Sequence, residues 1–132
     1  MTDEQATALG KRLIACKGFR PMRGMLDMQG RTWDQSLLWR WSNDVDVPDL
    51  RDPATLGCVL AMVREAWRCP TVYVRQGTTR RVSDGVIAWE VCNLWLDAEA
   101  CRALGVERQG SVGSWGHGSE AEALVAALEA AP

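Results

Sequence analysis

The chain has 132 residues, of which 47% are hydrophobic, with 15 basic and 17 acidic residues and a formal net charge of −2. This size and composition favour one compact domain, residues 1–132, with a single core. The charge balance provides no long-range field for nucleic acid or an anionic membrane, and no apolar run is long enough to cross a bilayer. The start, MTDEQATALGKR, lacks the apolar centre of a signal peptide, so we expect a soluble intracellular protein.

Five cysteines are scattered along the chain: Cys16, Cys58, Cys69, Cys92 and Cys101. Their number is odd and they contain no C-x-x-C pair, which argues against a disulfide framework or a zinc ribbon. Free cysteine is among the residue types most often buried. We therefore expect reduced thiols, mostly buried, with Cys69 the most exposed because it precedes Pro70. We predict no metal site and no cofactor.

The first predicted helix covers residues 2–17. Apolar residues recur on one of its faces at helical spacing: Ala6, Leu9, Leu13 and Ile14. Thr2 and Gln5 have the spacing of a capping box at the start of the helix. Gly18 is predicted to end the helix in the left-handed conformation.

An alternation of apolar and polar residues from Trp33 to Ser42 predicts a β-strand. The shorter apolar run Met25–Met28 is its predicted partner. Gln29 and Gly30 lie between the two and are predicted to form the turn of a first hairpin.

The clearest helical pattern follows an aspartate-rich linker. Asp52 is predicted to cap this second helix, and Pro53 suits the first helical position because its missing N–H has no partner there. Apolar residues then recur three and four positions apart: Leu56, Val59, Leu60, Val63 and Trp67.

A second hairpin is predicted from two runs rich in β-branched and aromatic residues, 71–76 and 86–96, joined by a connection over 77–85. A short helical turn from Asp97 to Gly105 and a weak fifth strand over 106–115 follow. Ser119 and Glu122 have the spacing of a capping box for a final helix. The apolar face of that helix contains Ala121, Leu124, Val125 and Leu128.

These elements predict an α+β fold of order αββαββ(β)α. Strands joined as hairpins favour a mainly antiparallel sheet of four or five strands, flanked by about three helices, in an arrangement like an α-β-α sandwich.

The glycine-rich stretch before the last helix, GSVGSWGHGS, is the one place where a phosphate loop is conceivable. Neither G-x-x-x-x-G-K-S/T nor G-x-G-x-x-G occurs there, so we interpret it as a turn from strand to helix. His117 is the only histidine, and a cysteine enzyme would have no other imidazole partner. We predict no catalytic residue, and a small Cys/His enzyme is the least favoured hypothesis.

Seven tryptophans are the most informative feature, against one tyrosine and one phenylalanine. Most are expected in the core, but tryptophan and arginine are also enriched at the centres of protein interfaces. We expect Trp33 and Trp115 at the surface, with His117 close to the latter. The arginines predicted to join them are Arg20 and Arg23 after the first helix, and Arg75, Arg80 and Arg81 in or beside the second hairpin loop.

Three blocks of the chain resemble a known group: ALGKRLIACKGFRPMRGML, PDLRDPATLGCVLAMVREAW and EAEALVAALEAAP. They are similar to small, mostly uncharacterised proteins of tailed bacteriophages and prophages, of the phage α-β-α sandwich type. Such relatives tend to have an aromatic residue or tryptophan after the first helix, where this chain has Phe19 followed by RPM. The resemblance implies an accessory protein of the bacterial host cytoplasm without established enzymatic activity, and it transfers no catalytic residue.

Besides the disfavoured enzyme, two functions from different classes are considered for such a protein. The first is binding of a host or defence-system protein, in the manner of an anti-defence inhibitor such as an anti-CRISPR protein, through the exposed tryptophans and arginines. The second is association with nucleic acid through Arg75, Arg80 and Arg81, which the negative net charge disfavours. The sequence does not identify the partner, and a homodimer stays open.

Overall fold

The computed structural model describes residues 1–33, 46–80, 87–93, 99, 102, 103 and 117–132, with the backbone alone at 77–80 and 87. The elements in these ranges are helix α1 (Asp3–Ala15), helix α2 (Pro53–Ala66), strand β1 (Tyr73–Arg80), strand β2 (Ile87–Cys92) and helix α3 (Glu120–Glu129). The class is α+β. No helix among the described residues is long and apolar enough to span a membrane.

The predicted four- or five-stranded sheet is wrong, and so is the sandwich-like arrangement around it. In the described ranges, β1 and β2 form a two-stranded antiparallel sheet in which Tyr73 lies opposite Cys92 and Arg75 opposite Glu90. In the described part of the first predicted hairpin, Leu26 forms an antiparallel bridge with Thr32, and on its other side the short apolar run forms a bridge from Asp27 to Pro48. Among the described residues, most of the buried core lies on the three helices, of which α1 and α2 both pack against α3.

Several predicted segments lie outside the described residues: 34–42 of the first hairpin, 81–86 and 94–96 of the second, and the weak strand 106–115. The predicted short helix is described only at Glu99, Arg102 and Ala103, which are helical.

The turn predicted at Gln29 and Gly30 is confirmed. The carbonyl of Asp27 accepts a hydrogen bond from the Gly30 N–H, the Asp27 N–H donates to the Arg31 carbonyl, and both bonds are 2.9 Å long. Gly30 has φ of 77°, a left-handed conformation that glycine adopts readily in a tight turn. The Asp27 side chain is fully buried, and it accepts bonds from the backbone N–H groups of Gln29 and Arg31 and from Arg31 Nε.

The predicted helix starts are confirmed with one difference. Thr2 and Gln5 form the capping box of α1, and Asp52 caps α2 ahead of Pro53. Ser119 caps α3 by accepting from the Glu122 N–H, but the Glu122 carboxylate accepts from Gly118, not from the Ser119 N–H that a capping box requires. The carboxylate can approach because Gly118 has no side chain, and a Cβ there would lie 3.3 Å from Glu122 Oε2.

The three helices run in the same general direction. Asp3 in the first turn of α1 forms an ion pair with Arg51, the residue before the cap of α2. Gln5 of α1 and Ser119, the cap of α3, line the same cleft. The N-termini of all three helices therefore lie at one end of the molecule.

The C-terminal ends of the three helices meet at Gly18. A Cβ on this glycine would lie 3.0 Å from Leu128 Cδ1 and 3.5 Å from Ala66 Cβ. The predicted left-handed role of Gly18 is wrong, because α1 ends at Cys16 in an extended conformation and the left-handed glycines of the described residues are Gly24 and Gly30. The small size of Gly18 is what the three helix ends require.

Helix α3 is the element around which the others pack. Six of its ten residues are buried: Ala121, Ala123, Leu124, Val125, Ala127 and Leu128. It contacts α1, α2 and both strands. The indole Nε1 of buried Trp67, at the end of α2, donates a 2.8 Å hydrogen bond to the Ala127 carbonyl in the last turn of α3.

We predict that glycine-to-alanine substitutions in α1 and α2 have opposite effects. A Cβ at Gly10 would lie 2.8 Å from the Pro48 carbonyl oxygen, whereas a Cβ at Gly57 meets nothing within 4 Å. Gly57→Ala should stabilise the protein by up to about 1 kcal/mol through helix propensity. Gly10→Ala should destabilise it by about 1–3 kcal/mol through overpacking. Urea unfolding of both variants measures this, and stabilisation by Gly10→Ala would contradict the close approach of α1 to residues 47 and 48.

Candidate functional site

The segment after α1 lies along α2 and positions two of the predicted arginines. Three contacts place residues 20–26 antiparallel to that helix: an ion pair of Arg20 with Glu65, a 3.9 Å contact of the Arg23 carbonyl with Cys58 Sγ, and a 2.8 Å bond from the Leu26 N–H to Thr55 Oγ1. Arg23 is exposed. Arg20 is also exposed, but its charge is opposed by the carboxylate of Glu65.

Trp33 lies in the same neighbourhood. Its backbone N–H donates to the Met25 carbonyl at 2.7 Å, and its backbone carbonyl accepts from the Gly24 N–H at 3.4 Å. The side chain is half-buried and packs against the core. The structure thus brings Trp33 close to Arg23, with only part of the ring surface open to a partner.

The β1–β2 hairpin carries a second group of candidate site residues. Along the start of β1, alternate side chains face inward and outward, so buried Val72 and half-buried Val74 face the core. Tyr73 and Arg75 face outward, 41% and 56% exposed. The Arg75 guanidinium lies 3.3 Å from Glu90 Oε2 across the hairpin.

The remaining predicted residues divide between described and undescribed parts of the chain. Arg80 ends β1, where its backbone pairs with Ile87. Arg81 and Trp115 lie outside the described residues. His117 pairs with Trp89 on β2 through two backbone hydrogen bonds of 2.8 and 3.2 Å, two residues before the cap of α3. This placement supports the interpretation of the glycine-rich stretch as a connection into a capped helix.

The described cysteines are free thiols, and one expectation about them is wrong. Cys69 was predicted to be the most exposed cysteine, but it is buried, with 5% of its surface exposed. Its Sγ donates to the Asn93 carbonyl at 3.2 Å and lies 3.3 Å from Thr71 Oγ1. Burial raises the pKa of the Cys16 and Cys58 thiols above the usual value. Within the part of the chain that the structure describes, no three His, Cys, Asp or Glu side chains form a metal-binding group.

Sequence reasoning missed Tyr73 and the pair of Arg12 with Glu129. The alternation in TVYVRQ gives Tyr73 the same parity as Arg75, so the pattern contained this signal. The Arg12 guanidinium donates two hydrogen bonds to the Glu129 carboxylate, of 2.9 and 2.7 Å, and joins α1 to α3. No local pattern predicts this pair, because its members are 117 positions apart.

Comparison with known proteins found no matching family model, no matching curated protein and no matching solved structure. The resemblance to small phage proteins therefore stays a prediction.

We predict slow alkylation of Cys16 and Cys58. Because their pKa values are raised, little thiolate is present at pH 7, and iodoacetamide labelling should be slower than in the urea-unfolded chain and accelerate with pH. Because burial disfavours the thiolate, the free energy of unfolding should fall as the pH rises from the pKa of the unfolded thiol, about 8.5, through the folded values. Mass spectrometry of the labelled peptides measures the rates, and labelling as fast as in the unfolded chain would contradict the prediction.

Proposed function

We propose that the protein is a phage or prophage accessory protein that acts in the bacterial host cytoplasm by binding a host or defence-system protein and inhibiting it. The observation that carries the proposal is the outward face of the hairpin, where Tyr73 and Arg75 lie side by side. Tyr73 and Met1 are the exposed large hydrophobic residues of the described ranges.

The chemistry of this face suits a protein partner. Tyrosine and arginine are enriched among the residues that dominate binding energy at interfaces, where tyrosine offers apolar area together with a polar tip. Both Nε and Nη2 of Arg75 approach the same oxygen of Glu90, at 3.4 and 3.3 Å. A guanidinium has five N–H donors, so Arg75 retains donors for a carboxylate of the partner.

The inward side of the hairpin packs against the core. Val91 is 1% exposed, and Val74 and Trp89 pack against the same core. A surface held in place before binding loses less conformational entropy when the partner arrives.

Nucleic acid is the weaker candidate on the described residues. Arg20 and Arg75 each lie beside a carboxylate, which opposes the positive field that a phosphate backbone requires. Arg80 and Arg81 remain the arginines through which this alternative would act.

We predict that affinity enrichment from lysates of bacterial hosts yields a stoichiometric protein partner. Tyr73→Ala and Arg75→Ala should each weaken the Kd for that partner by about tenfold or more, the size typical of central interface residues. Arg102→Ala, at an exposed arginine elsewhere, is the control and should leave the Kd unchanged.

Two results would contradict the proposal. One is the absence of any stoichiometric partner, combined with a low-salt gel shift that weakens with added salt, which would favour the nucleic-acid alternative. The other is a partner whose affinity is unchanged by both hairpin substitutions.

A further inference from the structure

Strand β1 is the outer strand of the sheet in the part of the chain that the structure describes. Its neighbour β2 pairs with β1 on one side, and on the other side Trp89 of β2 exchanges two backbone hydrogen bonds with His117, of 2.8 and 3.2 Å. Strand β2 is thus covered on both sides at Trp89, whereas among the described residues β1 pairs with β2 alone. The far side of β1 is therefore the open side of the hairpin.

The bonds of Trp89 to His117 determine which backbone groups of β1 point to that open side. The N–H and C=O of one residue point to the same side of a strand, and those of the next residue point to the other side. Because both groups of Trp89 bond His117, the opposite residue Gln76 forms a non-hydrogen-bonded pair with Trp89, and its own N–H and C=O point away from β2. Val74 has the same parity. The N–H and C=O groups of Val74 and Gln76 are called the β1 edge below.

The β1 edge is accessible. Gln76 is exposed and Val74 is half-buried, and no backbone group of the described residues bonds to either of them on this side. The carbonyl of Val72, which has the same parity, accepts a 2.8 Å hydrogen bond from Arg64 Nε, so α2 closes the edge just before Val74. An open strand edge is a template for pairing with another chain.

The exposed side chains of β1 select what pairs with this edge. In a strand added to the β1 edge, the residues opposite Tyr73 and Arg75 form non-hydrogen-bonded pairs, in which Cα atoms lie about 4.5 Å apart and side chains are closest. Glu90 engages Nε and Nη2 of Arg75 through one oxygen, which leaves guanidinium donors for a carboxylate opposite Arg75. An aromatic or β-branched residue opposite Tyr73 would pack against its ring.

We propose that the β1 edge binds an extended segment of the partner protein as an added antiparallel strand, with an acidic residue opposite Arg75 and an aromatic or β-branched residue opposite Tyr73. In this direction the acidic residue comes first and the aromatic or β-branched residue follows two positions later, because Tyr73 precedes Arg75 by two positions. Antiparallel pairing is slightly more stable per residue than parallel pairing, and it continues the pattern of β1 with β2. The inference rests on the proposed function, since the segment belongs to the same partner.

Hydrogen exchange in the free full-length protein tests whether the edge is open. The amides of Tyr73 and Arg75 bond to β2, whereas those of Val74 and Gln76 belong to the β1 edge. The edge amides should exchange faster by about tenfold or more, as expected for the lack of one hydrogen bond. Equal protection of all four amides would mean that the edge is already covered, and it would overturn the proposal.

Binding is tested with a displayed library of random peptides of about nine residues, selected on the folded full chain. Enriched peptides should contain an acidic residue two positions before an aromatic or β-branched residue. In a synthetic copy, N-methylation of the residue between these two removes an N–H that bonds Val74, and it should weaken the Kd by about tenfold or more. N-methylation of the acidic residue, whose N–H points away from β1, is the matched control and should leave the Kd unchanged.

A substitution in the protein tests the same bonds from the other side. Gln76→Pro removes one N–H of the β1 edge and leaves the ladder with β2, because proline is tolerated where the N–H of an edge strand faces solvent. It should weaken the Kd of the enriched peptide by about tenfold or more, and Gln76→Ala, the control, should leave it unchanged.

Several results would overturn the added strand. They are the absence of any enriched peptide, enrichment of the reverse order of the two residues, and equal effects of the two N-methyl groups. A dimer through β1, detected by light scattering as a mass that rises with concentration and falls in Gln76→Pro, would identify a second copy as the occupant instead. A lysate partner whose affinity falls with Tyr73→Ala and Arg75→Ala, but not with Gln76→Pro, would leave the proposed function intact and reject the added strand.

Discussion

The burial of α3 is the constraint on which the rest of the structure depends. This helix packs against α1, α2 and both strands, and four of its ten residues are alanines, which are small enough for close contact with its neighbours. Trp67 then fixes the position of α2 against it through the indole hydrogen bond to the Ala127 carbonyl. Removing that donor would leave a buried carbonyl unsatisfied, at a cost of about 1–3 kcal/mol.

The common direction of the helices creates an electrostatic problem. Helix dipoles that point the same way repel when they lie side by side, and side chains of opposite charge at the helix ends offset this. Asp3 and Arg12 do so at the two ends of α1. Glu129 lies at the unfavourable end of α3, and the two hydrogen bonds from Arg12 compensate it, which also raises the pKa of the Arg12 guanidinium. The outward face of the hairpin lies on a separate element.

Local features of this fold could be predicted from the sequence, and features that depend on distant contacts could not. The caps at Thr2, Asp52 and Ser119 and the turn at Gly30 are set by residues within four positions, and all were confirmed. The predicted extent of the sheet was wrong, because an alternation of apolar and polar residues predicts a strand but not its partner. The predicted left-handed conformation of Gly18 and the predicted exposure of Cys69 were wrong for a similar reason. Gly18 lies against Leu128 and Cys69 contacts Asn93, and both of these neighbours are distant in the sequence. Of the candidate site, Arg75 could be predicted, whereas the pair of Arg12 with Glu129 exists only after α1 and α3 are placed together.

Native-state hydrogen exchange tests the central position of α3 most directly. If α3 is the element around which the others pack, the amides of residues 124–128 should exchange only through global unfolding, with a free energy equal to that from urea denaturation. The first turn of α1, which is largely exposed, should exchange faster. Exchange of residues 124–128 through a local opening, at a free energy well below that of global unfolding, would contradict the account.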